Sequence, residues 1–480
     1  MNTDEPFPPP IPPTPSDPAN DRHKSRIPTG LAPEPLNILI LGASYAGLAC
    51  AHHFLDHTLA QLRITTSAPA YRLVIVSPST HIYWNIAAPR ALVSADAMKQ
   101  ENLFVEIEEG FHRHRGCGVV FVQGEATGLD LGQRIVRVEV FGKEGAKRAS
   151  LVMGKRMSRN FNDGSKVQMI PYHALVMATG SSAHSELLGL HGTHLNTMGS
   201  LNAFHARVAV AKSIIVGGGG PSGVEVAGQL ATYLNYTGTW PFRRRVKEPK
   251  RIVLITGGER CLQNLKPAVS RKAEKLLSSL GVEVQHGTRI LAAQHDFDSS
   301  GQTRVSLNDN SSLTADLYIP CTGVDPNTQY VPTDLLDSKG YIQTHKTSLR
   351  VEHPRAGPRV YAIGDVAAYS QKYILDVYAA VPVLMHNLLN DLLAHEYYLA
   401  SPYGGNQDKV DDLIDEAYTS RKLDSQLCPV TRFGGVGMIM GMSVPGWLVH
   451  LLKGRDYKVG KAKKVVVDGG NPYAVKGKYE

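Results

Sequence analysis

One glycine run constrains this chain more than any other stretch. It reads Gly217–Gly218–Gly219–Gly220–Pro221–Ser222–Gly223, with Val224–Glu225 directly after it. The apolar run Ser213–Ile214–Ile215–Val216 leads in, and Val226–Ala227–Gly228–Gln229–Leu230–Ala231 leads out. A short apolar run, a glycine turn and a helical pattern predict a buried strand, a tight turn and a helix. Within the run, Gly218, Gly220 and Gly223 fit G-x-G-x-x-G. The first glycine permits the turn, the second lets backbone approach a pyrophosphate, and the third lets helix and strand pack closely. Ser222 and the free N–H groups of the first helical turn would face the phosphates. A lone glycine turn is a weak signal, because such turns also arise for structural reasons alone.

A second copy raises its weight. Leu36–Asn37–Ile38–Leu39–Ile40–Leu41 reads as a buried strand and runs into Gly42–Ala43–Ser44–Tyr45–Ala46–Gly47. Ser44 stands where the middle glycine is usual. It is small enough for the turn and brings a hydroxyl donor of its own. The strand Tyr71–Val76 follows, then Ser77–Pro78–Ser79. A dinucleotide fold usually ends that strand in an acid that holds the ribose. Here Ser77 or Ser79 takes that contact, or it is lost. Arg90 is read either as a counter-charge for a pyrophosphate or as an ordinary surface arginine. Val119–Ala126 and Arg134–Val140 read as strands of a meander, and the Ala126 backbone is a candidate adenine contact. Tyr172–Met177 is another buried strand, ending in Ala178–Thr179–Gly180, where small residues let the chain pass close beneath a cofactor.

The second unit continues with Arg251–Ile255 and Thr256–Gly257–Gly258–Glu259–Arg260. Arg260 can accept the 2′-phosphate of NADPH, while Glu259 can serve NADH instead; the reading leans toward tolerance of NADPH. Ala315–Gly323 repeats the strand-then-Thr-Gly design and is assigned to a returning first unit. Arg359–Ile363 then ends in Gly364–Asp365. Asp365 suits ribitol hydroxyls, or serves as a helix cap.

A chain of 480 residues exceeds one ordinary core. The predicted fold class is α/β, with two Rossmann-like dinucleotide-binding domains and a C-terminal α+β region. The expected boundaries are a proline-rich disordered tail at 1–35, a first domain at 36–211, an inserted NAD(P)H domain at 212–314, the rest of the first domain at 315–375, and a C-terminal domain at 376–480. The tail lacks the apolar segment of a secretory signal, and its acids argue against an arginine-rich presequence. Asn2 excludes myristoylation if Met1 is the start. Net charge is +8, which fits a binder of polyanionic cofactors better than a nucleic-acid protein without a recognisable motif. The five cysteines form no C-x-x-C pair, so neither zinc nor a dithiol redox centre is expected. No apolar run approaches the ~20 residues of a spanning helix.

Taken in order, G-x-S-x-x-G, Ala-Thr-Gly, G-x-G-x-x-G-V-E and Thr-Gly with Ala-Ile-Gly-Asp resemble the two-dinucleotide-binding-domain flavoproteins. Asn85–Arg90, Gly223–Val224–Glu225 and the missing dithiol are similar to the apoptosis-inducing-factor-like branch, near the ferroptosis-suppressor type and the type II NADH dehydrogenases. Phe433–Gly437 with Lys453–Tyr457 resembles fungal members. The resemblance spans roughly residues 36–460.

It implies non-covalent FAD, reduced by NAD(P)H and re-oxidised by a quinone or other small acceptor. It implies FAD contacts at Gly42, Ser44, Tyr45, Ala46, Gly47, Ser77, Arg90, Ala126, Thr179, Gly180, Gly364 and Asp365. It implies nucleotide contacts at Gly218, Gly220, Ser222, Gly223 and Arg260, and a further cofactor contact at Gly323 in the returning first unit. Glu225 would sit near the nicotinamide, or merely support its helical turn. A helix from about Val377 to Leu393 would aim its N-terminus at the flavin, with Tyr378, Val381 and Pro382 as pocket candidates. The alternatives are a tailoring oxidoreductase of a small-molecule pathway and an NAD(P)H sensor with little turnover. A cytoplasmic location is expected, with membrane or mitochondrial association left open. Ser443–Leu452 and the lysines after it suggest weak peripheral membrane contact, or packing of Trp447, Leu448 and Leu451 against the flavin domain.

Overall fold

The computed structural model describes residues 34–64, 66–152, 166–238, 242–295, 301–420 and 425–473. The proline-rich stretch lies almost wholly outside them. The chain begins with β1 (Leu36–Leu41) and α1 (Tyr45–His53), then β2 (Tyr71–Ser77), β3 (Val119–Asp130), β4 (Ile135–Val140), β5 (Val167–Pro171) and β6 (Ala174–Met177). β1 is flanked by β2 and β6, both parallel to it. β3 adds beyond β2 in parallel, and then turns back as an antiparallel meander through β4 and β5. The parallel strands are continuous apolar runs because helices and loops cover both faces.

After α2 (His194–Val210) comes the second sheet: β7 (Ser213–Gly217), α3 (Pro221–Leu234), β8 (Arg251–Ile255), α4 (Pro267–Ser279) and β9 (Val282–Gln285). An antiparallel trio follows: β10 (Ile290–His295), β11 (Thr303–Leu307) and β12 (Ser312–Ala315). β13 (Leu317–Pro320) pairs in parallel with β7, so the sheet runs β9-β8-β7-β13. This differs from the sequence reading, which assigned Ala315–Gly323 to the returning first unit. The local pattern of that strand is the same in either sheet; only its long-range partner decides. The chain returns to the first sheet later, at β14 (Val360–Ala362), beside β6. The first sheet is therefore β14-β6-β1-β2-β3-β4-β5.

α5 (Ile374–Ala400) is 27 residues long and contains Pro382. By length and composition it is apolar enough to cross a membrane, but 56% of its apolar window is buried. It packs on α1, and its polar groups bond within the fold. Asp391 accepts from Arg350 and from the Tyr361 hydroxyl, and Glu396 accepts from the Tyr71 hydroxyl. The C-terminal part forms a hairpin, β15 (Gln426–Thr431) and β16 (Gly434–Ile439), extended by β17 (Met442–Ser443). The hairpin lies against α3, and the chain then coils back past α1.

Candidate active site

In both parallel sheets the strand order reverses beside the first strand, between β1 and β6 and between β7 and β13. Ligands of such sheets bind at the carboxyl ends of the strands at this switch point. The same device is built at both. Gly42 and Gly218 have φ of +99° and +111°, a region where a Cβ is strained. A Cβ on Gly42 would also lie 2.3 Å from the Ala178 carbonyl oxygen, and one on Gly218 would lie 2.2 Å from that of Cys321. A Cβ on Gly47 would lie 1.9 Å from the Gly42 oxygen, and one on Gly223 would lie 1.8 Å from the Gly218 oxygen. The middle position is open in the second unit, where nothing lies within 4 Å of a Cβ on Gly220. So each Thr-Gly strand end abuts its own fingerprint glycine, which explains why the sequence shows that pairing twice.

At the first switch point lies a cavity of about 500 Å³. Gly42, Ser44, Tyr45, Ala46, Ser77, Ala126, Thr179, Gly180, Gly364 and Asp365 line it. These residues come from loops far apart in sequence. Gly47 stands behind the wall, holding the turn. Ser44 caps α1 without spending its hydroxyl on a capping bond. The Tyr45 hydroxyl donates to Asn85 Oδ1 at 3.0 Å. Asn327 pins the Ala-Thr-Gly turn: its amide donates to the Thr179 carbonyl at 2.9 Å, and it accepts from the Ser182 hydroxyl at 2.7 Å. Asp365 Oδ2 accepts from the Ser181 hydroxyl at 3.0 Å. Burial pushes the Asp365 carboxyl above its ordinary range, while Ser181 and Lys372 oppose that rise. Lys372 anchors the loop by donating to the Asp365 and Ala367 carbonyls at 2.9 and 3.1 Å.

Several wall residues were not singled out in the sequence, among them Glu125, Asn327, Tyr330, Lys372 and Tyr373. No local motif marks them, because loops meeting in space put them there. Glu125 stands on β3, one strand beyond the position where the usual ribose acid is replaced by Ser77.

Arg90, Val381, Gly323 and Glu225 lie outside both the cavity and the two glycine turns. Arg90 is buried, and its three side-chain nitrogens are all engaged. They donate to Gln229 Oε1 at 3.1 Å and to the carbonyls of Arg455 and Gly454 at 2.9 and 2.6 Å. Its guanidinium also stacks on Tyr457, 4.7 Å from the ring centre. Both the pyrophosphate reading and the surface reading are therefore corrected: Arg90 ties the segment after Trp84 to the C-terminal region. Val381 is buried in the core beneath the cavity, which α5 instead reaches through Ile374 and Val377. Gly323, at φ +140°, is on the surface beside β13. Glu225 is 2% exposed and accepts from Lys453 Nζ at 2.6 Å. Burial raises its carboxyl, and Lys453 opposes that rise. This pair fastens the first turns of α3, including Ser222, to the C-terminal segment.

All five cysteines are unpaired. Burial pushes the Cys50, Cys261 and Cys321 thiols up to about 12, and no cysteine lines the cavity.

Residues 36–383 match the pyridine nucleotide-disulphide oxidoreductase family. The chain belongs to that family. It is 37% identical to oxidoreductase phnG of Penicillium herquei over 88% of this chain and 93% of that protein. It is 23% identical to ferroptosis suppressor protein 1 of Homo sapiens, over 90% and 96% of the two chains. Its fold is similar to that of NDH2 from Plasmodium falciparum in complex with NADH, with a TM-score of 0.55 and 14% identity over 86% and 92% of the chains. FAD is the cofactor of this family member and NAD(P)H its co-substrate. The first cavity fits the flavin on its own evidence: a cradle that a Cβ would fill, an unspent serine hydroxyl, and a half-buried carboxylate at the end of β14.

Proposed function

We propose that this protein takes hydride from NAD(P)H to FAD and passes the electrons to a small organic acceptor of the quinone class. The observation that carries this reading is the pair of matching switch points without a cysteine couple at either. FAD, when bound, accepts hydride and releases its electrons to a second partner. The chain's own work is positional. Gly42, Ser44 and Gly47 hold one pyrophosphate turn, and Asp365 offers a carboxylate to hydroxyl groups of the cofactor. Gly218, Gly220 and Gly223 hold the other turn. The Glu225–Lys453 pair keeps α3 fixed against the hairpin, so that the second turn keeps its place. With all five cysteines unpaired and none lining the cavity, no dithiol relay stands between the cofactor and an outside acceptor.

A ridge of exposed apolar side chains supports a lipid-soluble acceptor. Phe433, Met440, Met442, Trp447 and Leu451 are all exposed, and such rows mark contact surfaces. We read it as a site of weak, peripheral membrane contact. The reading is tested by steady-state oxidation of NADH and NADPH, with and without short-chain quinones. Turnover that requires the quinone is expected. Oxidation only with a dedicated metabolite would move the protein to a tailoring role. Slow reduction with a persistent nucleotide complex would make it a sensor.

A further inference from the structure

We propose that the second nucleotide crevice selects NADPH over NADH, through Arg289 and Arg260 acting on the 2′-phosphate. The proposal rests on the NAD(P)H reading above and assigns its co-substrate. In folds of this kind, a carboxylate at the end of the second strand accepts from the ribose 2′-hydroxyl and repels a 2′-phosphate. Here β8 ends at Ile255, and the next residue is Thr256. Its side chain lies against the glycine turn: a Cβ on Gly219 would sit 2.3 Å from Thr256 Oγ1. The position that reads the ribose thus carries a neutral hydroxyl.

A cation stands beside it. Two backbone bonds zip the loop after β9 to the loop after β8. The Gly287 N–H donates to the Gly258 carbonyl at 3.0 Å, and the Thr288 N–H donates to the Thr256 carbonyl at 3.1 Å. This fixes Arg289, whose stem lies over Gly257; a Cβ there would be 2.8 Å from Arg289 Cγ. Arg289 is exposed, and among the described residues its guanidinium has no carboxylate partner. Arg260 belongs to the same loop after β8. Its Nη2 donates to the Gln263 carbonyl at 2.9 Å, and its Nε is buried without a partner. A guanidinium with unspent donors suits a phosphate, which offers several acceptor oxygens.

The acids of this edge include Asp309, Glu274 and Glu259; Asp309 follows Asn308, which bonds the Arg289 backbone, and accepts from the Ser311 N–H and hydroxyl. Glu274 accepts from the Cys261 N–H at 2.8 Å and lies 3.8 Å from His286. Glu259 is exposed and is the rival, since it can accept from a 2′-hydroxyl.

The test is calorimetric titration of the purified flavoprotein with NADP⁺ and with NAD⁺, at low and at raised salt. NADP⁺ should bind at least about tenfold tighter, a margin that narrows with salt. Arg289→Ala should lower NADP⁺ affinity about tenfold and leave NAD⁺ within about twofold. Arg289→Lys should recover part of the loss. Arg260→Ala should act in the same direction, and exposed Arg289 keeps the test valid if that variant folds poorly. Equal or tighter binding of NAD⁺ overturns the proposal, as does an Arg289→Ala loss shared by both nucleotides. Selective loss of NAD⁺ affinity in Glu259→Ala, with NAD⁺ preferred, would assign the site to NADH. In those cases NAD(P)H oxidation itself stands. Failure of both nucleotides to bind overturns the oxidoreductase reading as well.

Discussion

Replacing Asp365 with alanine removes the half-buried carboxylate at the end of β14 and leaves the Ser181 hydroxyl without its acceptor. A charge-assisted hydrogen bond contributes more than a neutral one, so FAD affinity should fall by about tenfold or more. The check is the visible flavin absorbance of the purified variant relative to its protein absorbance, before and after incubation with FAD. Full occupancy would remove Asp365 from the cofactor's contacts. At this scale the sequence was informative where a residue's role is set by its neighbours along the chain. Gly42, Gly47, Gly218 and Gly223 were legible because a tight turn demands them locally. Arg90 was not, because its three acceptors come from Gln229 and from residues 454–455. An arginine shows nothing of such partners in its own stretch.

At the scale of elements, α3 is held by a buried ion pair. Lys453→Met leaves the buried Glu225 carboxylate without its ion-pair partner, which costs more than the pair contributes when intact. The expected loss is about 3 kcal/mol of stability, read as a lower thermal midpoint with FAD still bound. Glu225→Gln combined with Lys453→Met should cost less than the sum of the single changes, because the two side chains form one unit. Additive losses would mean that the pair does not couple α3 to the C-terminal segment. Strands and helices were mostly visible in the sequence, since apolar runs and glycine turns are local. β13 was visible as a strand but placed in the wrong sheet. Its four residues pair with β7, a register fixed by about a hundred intervening residues rather than by its own composition.

At the scale of the molecule, the packing alternative holds only in part: Leu448 is half-buried, while Trp447 and Leu451 do not pack inward. They are 65% and 54% exposed. Lys266 Nζ donates to the Gly441 carbonyl at 2.7 Å, and Arg432 stacks on Phe433, so cations border the ridge. Of the lysines after it, Lys453 and Lys463 are already paired with Glu225 and Glu109, which weakens any pull toward anionic headgroups. Co-sedimentation with anionic liposomes should therefore be weak, lost at raised salt, and abolished by Trp447→Ser with Leu451→Ser. Pelleting unchanged in that double variant would exclude the ridge.

The segment from Pro429 to Val467 touches both nucleotide units. The Trp84 indole donates to the Tyr457 carbonyl, Gln229 donates to the Pro429 carbonyl, and the His52 ring bonds the Val467 carbonyl. A Cβ on Gly228 would strike the Val430 oxygen, and one on Gly110 would strike that of Val467. Chains fold as they emerge, starting from the N-terminal end. Each glycine turn is therefore complete on the ribosome well before the segment that locks the two together has been made. A nascent chain released before residue 429 lacks every one of these ties.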